Sequence, residues 1–213
     1  VTDRSCRFSF ANFLLWSEAY QMKFAIIEDS LVVFSERKLF TFPVGADDPE
    51  PALQWIFAYC EEHGIPCQLI VSESDWAYLD AHYPGEFTVE YNRDDADYIY
   101  ETKKLIELTG KKYHGKRNHI NKFKSVFGED WCYEPITPEN KGECFAMLEE
   151  WADQNDAAED QDKSTEVSVA RKFLELLETL DLQGGLLRAR SKVVAFTIGE
   201  PLREDTYVVH IEK

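Results

Sequence analysis

The apolar and polar positions of the chain alternate between short strand-like runs and longer helical stretches. Residues 8–20 (FSFANFLLWSEAY) predict a mostly buried helix carrying Phe10, Phe13, Leu14 and Trp16. KFAIIEDSLVVFS follows, two strands around a tight Glu28-Asp29-Ser30 turn. KLFTFPV adds a third strand, so this region reads as an antiparallel meander. Asp47, Asp48 and Pro49 open a helix that passes through Trp55, Ile56, Tyr59 and Cys60 and stops near Gly64, with Pro66 beyond it. Aspartate there can cap free amides, and proline suits a first helical turn. CQLIV (67–71) predicts a short buried strand and SDWAYLDAHYPG a capped helix ended by Pro84-Gly85. FTVEYNRDDADYIYE predicts one or two more strands, interrupted at Asp94-Asp95.

The second half starts with a strand, WCYEPI, and a helix from Pro138 with Cys144, Met147, Leu148 and Trp151 on one face. An amphipathic helix spans 165–180, where Ala170, Phe173, Leu174, Leu177 and Leu180 recur at three- and four-residue steps, and Gly184-Gly185 ends it. The tail, LLRARSKVVAFTIGEPLREDTYVVHIEK, predicts strand, turn, strand, loop, strand. Both halves thus follow one order of elements, without a residue-level repeat. The fold class is α+β, a mixed sheet flanked by helices, in two modules covering 1–130 and 131–213. A chain stopping at Lys213 inside a sheet leaves an open edge, so the natural protein is expected to continue.

Composition narrows the class. With 213 residues, 44% hydrophobic and 14% aromatic, the chain can fill a core. No apolar run approaches the roughly 18 residues of a bilayer span. Five cysteines in irregular spacing, with no C-x-x-C, point to free thiols in a reducing cytoplasm rather than a disulfide or zinc framework. His114 and His119 are five apart, so they form no metal pair on a helix, and no metal is expected. The run 153–162 holds five acids and reads as a solvated loop. Absence of G-x-S-x-G, Walker, G-x-G-x-x-G and H-E-x-x-H patterns removes support for hydrolase, kinase, dinucleotide and zinc-protease chemistry.

Charge changes the picture most. The chain carries 23 basic and 40 acidic residues, a net charge of −17. Lys103–Lys124 (KKLIELTGKKYHGKRNHINKFK) holds eight basic residues and one acidic residue, net +7, against −24 for the rest. Such an island in an acidic chain suits a phosphate or another anion, received locally. The candidate ligands are Lys111, Lys112, His114, Gly115, Lys116, Arg117 and Asn118, and a solvated basic helix face is the competing reading. In the last strand a period of two puts Thr206, Val208, His210 and Glu212 on one face. His210 and Glu212 are therefore candidates for a general base or for holding a substrate amine. Arg188, alternating with Arg190, is a candidate for a carboxylate or phosphate.

Gly110–Phe123 (GKKYHGKRNHINKF) and Val193–Lys213, with VAFTIGE and VHIEK, resemble the C-terminal catalytic domain of phosphatidylglycerol lysyltransferases and the stand-alone proteins of that family. The resemblance implies a tandem pair of acyl-CoA N-acyltransferase-like (GCN5-related) modules, similar to the Fem-type aminoacyltransferases, the second truncated here. It also implies aminoacyl transfer, in its best-known members from lysyl-tRNA to a membrane lipid. On that footing the donor is an aminoacyl-tRNA or an acyl-CoA, and the acceptor an amine or hydroxyl. tRNA is the implied partner, peripheral membrane contact stays compatible, and no tightly held cofactor is implied. In such modules a strand leads through a Q/R-x-x-G-x-G/A loop into a helix, and loop amides hold a pyrophosphate. Lys112-Tyr113-His114-Gly115-Lys116-Arg117 takes that place with an altered pattern, which favours an RNA phosphate over coenzyme A. An acetyl-CoA-dependent N-acetyltransferase acting on a small amine, and a non-enzymatic anion- or partner-binding protein, are the alternatives.

Overall fold

The computed structural model describes residues 5–6, 9–45, 47–93 and 96–213. Phe8 and the Asp94-Asp95 break lie outside them. The chain is α+β, with two four-stranded sheets. It divides into two compact units, residues 1–95 and 96–213. The basic segment falls in the second of these, whereas the sequence reading groups it with a first module ending at 130.

In the first unit, α1 spans Phe10–Trp16 and is capped by the Ser9 side chain, which accepts from the Asn12 amide. Its buried residues are Ala11, Phe13 and Leu15, while Phe10 is 70% exposed, so the buried stripe is rotated from the predicted one. Strands β1 (Lys23–Ile27) and β2 (Ser30–Phe34) pair antiparallel, Ile27 opposite Ser30. Glu28 and Asp29 both take positive φ, 47° and 63°, the backbone of a two-residue hairpin whose twist matches its strands. β3 (Phe40–Thr41) continues the meander, and β4 (Leu69–Ile70) adds to it in parallel through the crossover helix α2 (Glu50–His63). Gly64 ends α2 in the left-handed region, as its sequence position suggests. Helix α3 (Glu73–His82) begins with a full capping box between Ser72 and Asp75. Ile56 and Phe40 centre one core cluster, and Leu53 with Phe42 and Leu79 forms another. No strand forms among the described residues of 87–101, where one or two were expected.

The second unit opens with α4 (Thr102–Glu107), a 3-10 turn (Lys111–Tyr113) and α5 (His114–Phe127). Its sheet runs β5 (Trp131–Pro135), β6 (Gln183–Ala189), β7 (Lys192–Arg203), β8 (Thr206–Glu212), all antiparallel. Helices α6 (Lys141–Gln154) and α7 (Gln161–Glu175) pack on each other and cover one face. Cys144, Leu148, Ala170, Phe173 and Leu174 of these helices are completely buried, together with Leu186 and Ile198 of the sheet. Asp160 starts α7 earlier than the apolar pattern does, its side chain accepting from the amides of Asp162 and Lys163.

Gly184 and Gly185 belong to β6 rather than to a helix end. A Cβ at Gly184 would press on Ile136 and Leu177 in the core, and one at Gly185 would meet the Tyr133 ring on the other face. Gly199 is more constrained, because a Cβ there would run into the backbone carbonyl of Val208 as well as the Tyr207 ring. Gly199→Ala is therefore expected to cost about 1–3 kcal/mol in urea unfolding, the usual range for overpacking. Gly185→Ala should cost less, since the exposed Tyr133 can swing away. Among the described residues no helix is long and apolar enough to cross a membrane.

Candidate functional site

The basic segment is built as two helices joined by a tight turn. Leu108 (φ 48°) and Gly110 (φ 87°) reverse the chain after α4. Arg117 of α5 reaches back and donates from Nη1 to the carbonyls of Leu108 and Gly110, the latter at 2.8 Å. It thereby satisfies carbonyl oxygens that the helix end leaves open. Buried Tyr113 anchors the turn.

The other cations divide in two. Lys103 and Lys104 pair with Glu107 and Glu101. Lys116 lies over the Tyr100 ring at 6.0 Å and Lys124 over Trp131 at 5.8 Å. Lys111, Lys112 and Lys122 are exposed and form no ion pair among the described residues, Lys112 lying over the Tyr113 ring at 5.9 Å. His114 and Asn118, one turn apart, join their side chains at 3.2 Å. Gly115 sits in open space inside the first turn of α5 rather than at a loop. A helix and a 3-10 turn precede α5, not the strand that the acyltransferase-type phosphate loop requires. The expected candidates therefore share one segment, with Arg117 bound to the backbone and Lys111, Lys112 and Lys116 exposed.

The last strand differs from a plain period-two strand. Val209 and Ile211 of β8 stand opposite the consecutive residues Gly199 and Ile198, so His210 is an inserted, bulged residue. The insertion breaks the alternation. His210, with 1% of its side chain exposed, and Ile211 both turn inward, while Val209 and Glu212 face out. His210 and Glu212 consequently do not share a face. The partner of His210 is Glu200 on β7, with Oε1 2.9 Å from Nε2, and the imidazole stacks on Phe173 of α7 at 5.0 Å. Three residues on, Lys213 is equally sequestered, 4% exposed. Its ammonium lies 3.7 Å from the Trp151 ring centroid and 2.8 Å from Glu166 Oε1. Glu200, Glu166 and Trp151 were not readable as partners, because each comes from a different element than the residue it meets.

Arg188 is committed within the fold. Nε and Nη2 donate to Glu134 Oε1 at 3.0 and 2.9 Å, Nη1 and Nη2 to the two oxygens of Glu143 at 2.6 and 3.0 Å, and Nη1 also to the Ser191 carbonyl. All five N–H donors are used, leaving none for a substrate in this arrangement. The fork ties β5 and α6 to β6. Its hydrogen bonds hold the Glu143 carboxyl below its ordinary value of 4.5. A depressed carboxylate contributes stability that is fully present above the unfolded value and is lost as pH falls through the folded one. Thermal stability should thus decline on acidification from about pH 4.5. In Arg188→Met this part of the decline should vanish, along with the contribution it makes at neutral pH, as a pH series of melting curves would read.

Between α6 and α7 lies an open cavity of about 420 Å³ lined by Glu149, Asp153, Asp156 and Glu159 over Ala152, Ala157 and Val167. The acidic run is therefore not only a loop, since it folds into a 3-10 turn (Ala157–Glu159) between the helices. No group of three or more metal-ligating side chains is present among the described residues.

Comparison with solved structures finds a conserved protein of unknown function from Bacteroides thetaiotaomicron VPI-5482. It is 34% identical, with a TM-score of 0.89, over 100% of this chain and 73% of that one. Curated proteins give no match. The family model for the phosphatidylglycerol lysyltransferase C-terminal region matches residues 1–213, the whole chain. With the Gly110–Phe123 and Val193–Lys213 motifs placed in one compact unit, the match is continuous with the structure, and the chain belongs to the phosphatidylglycerol lysyltransferase C-terminal family.

Proposed function

We propose that this chain acts in aminoacyl transfer, taking an aminoacyl group from a charged tRNA and passing it to an amine or hydroxyl acceptor. The observation that carries the reading is the family match over all 213 residues. The cationic segment supports it, because Lys111, Lys112 and Lys122 are left open to an RNA phosphate in a chain of net charge −17. An aminoacyl ester is already activated, so the protein's main task is to orient donor and acceptor. Covered by Phe173 and fixed by Glu200, His210 serves as a positioning residue that sets the course of β8. Glu212, exposed on the outer face, is the carboxylate placed to take the proton that an acceptor gives up.

The test is a transfer assay with the full chain, tRNA charged with a labelled amino acid, and either anionic phospholipid vesicles or small amines as acceptors. Protein-dependent appearance of label in an acceptor is the expected result. If label leaves the tRNA at the same rate with and without protein, and reaches no acceptor, the reading fails. Acetyl-CoA run in parallel would identify an acetyltransferase instead.

A further inference from the structure

Cys60 and Cys67 belong to the first unit, whereas every residue given a role above belongs to the second. Cys60 is buried in the last turns of α2. After it the chain closes tightly. Gly64 takes φ 60°, its amide donates to Cys60 and Glu61 carbonyls, and the Ile65 amide donates to Cys60 O at 3.0 Å. This is the six-to-one closure of a helix end, which folds the following residues back over the helix's last turn. It carries Cys67, two residues later, onto the core cluster that contains Cys60, together with Phe40 and Ile56. The two side chains are close enough there for each thiol to shift the other's titration. Both cysteines are free.

We infer that Cys60 and Cys67 form a redox modification site, a thiol pair that a small disulfide such as oxidised glutathione converts to an intramolecular disulfide stapling the end of α2 to the start of β4. The half-buried Cys67 is the entry point, and fully buried Cys60 is the resolving thiol. Cys67, losing its proton to solvent, attacks one sulfur of oxidised glutathione and expels one glutathione thiolate. Cys60, losing its proton, then attacks the Cys67 sulfur of the mixed disulfide and expels the second. The two released protons end on the two glutathiones, so two cysteine thiols are oxidised and one glutathione disulfide is reduced. Burial, with the neighbouring Cys60, pushes the Cys67 thiol up to about 12. Reaction at neutral pH is therefore slow and should quicken about tenfold per pH unit as thiolate appears.

The experiment incubates the native full chain with oxidised glutathione across pH 7 to 9 (roughly the range in which thiolate exchange is measured), then quenches with acid. Peptide mapping and thiol titration after denaturation read the product. The expected result is a Cys60–Cys67 cross-linked peptide, loss of two thiols per chain, reversal by dithiothreitol and a higher melting temperature. In Cys60→Ser the Cys67 mixed disulfide should accumulate instead, and in Cys67→Ser neither form should appear at Cys60. Should Cys60→Ser fail to fold, the mapped wild-type product still decides. A mixed disulfide persisting at Cys67 in the wild type, or both thiols unmodified after exposed Cys132 has reacted fully, overturns the inference.

Discussion

Replacing Phe173 by alanine will lower the unfolding free energy of the second unit by about 3–5 kcal/mol, the range for large aromatic truncations in a core. Phe173 is 0% exposed and sits where α7 meets the sheet. Its ring contributes apolar burial and is also the face on which the buried His210 imidazole lies at 5.0 Å. Removing it leaves a cavity beside a polar pair. Water entering that cavity would compete for the 2.9 Å hydrogen bond between His210 and Glu200. Phe173→Leu keeps much of the volume but not the stacking and should cost under about 1.5 kcal/mol, plus whatever the stacking supplies. Urea unfolding followed by far-ultraviolet circular dichroism measures the loss, and amide exchange locates it. Protection should fall in β7, β8 and α7 and stay unchanged in α2. A loss below about 1 kcal/mol for alanine would mean the site collapses around the cavity, and that Phe173 does not hold β8 in place.

Affinity for tRNA should fall roughly 100-fold between about 50 and 200 mM salt if four phosphates are contacted, since each releases nearly one counterion. The prediction is specific about which cations matter. Lys111, Lys112 and Lys122 together replaced by alanine should reduce the salt slope by about three and weaken binding at low salt if each meets one phosphate. Arg117→Ala should act differently. It removes the donor to the Leu108 and Gly110 carbonyls and loosens the turn before α5, so its effect should show in melting curves as much as in binding. Lys103→Ala and Lys104→Ala should change little, their charge being matched by Glu107 and Glu101. Filter binding or fluorescence anisotropy at four salt concentrations would measure this. A slope near zero, or an unchanged slope in the triple variant, removes the RNA-binding role of the segment.

How far the sequence could be read depended on how local each cause was. The Glu28-Asp29 hairpin and the Gly64 stop of α2 are set by a few adjacent residues, and each forms as its sequence predicts, while the equally local cap of α3 falls on Ser72, two residues before the predicted stretch. The amphipathic stripe of Ala170, Phe173, Leu174 and Leu177 is likewise buried as its spacing requires. Failures came where distant elements decide. Gly184-Gly185 looks like a helix stop, but these glycines are in a strand because β6 pairs them with Pro135 of β5 and with Ile198 and Thr197 of β7. Residues around 87–101 have strand-like composition, yet form no ladder among those described, since a strand needs a partner and none is offered.

The candidate site divides along the same line. From its residues alone the chain set its α+β class, its acidic surface, the cationic island at 103–124 and its family motifs, because charge and pattern are carried by the residues themselves. Which cations lie against rings or backbone was decided by tertiary structure, through Tyr100, Tyr113, Trp131 and the carbonyls that Arg117 reaches. So was the fate of Arg188, whose donors are consumed by Glu134 and Glu143 from two other elements. Most clearly, period two placed His210 beside Glu212, while the register of β8 against β7 inserted His210 as a bulge and gave it Glu200 instead. A strand's own sequence cannot specify that insertion, because a bulge exists only as a mismatch in count between two paired strands.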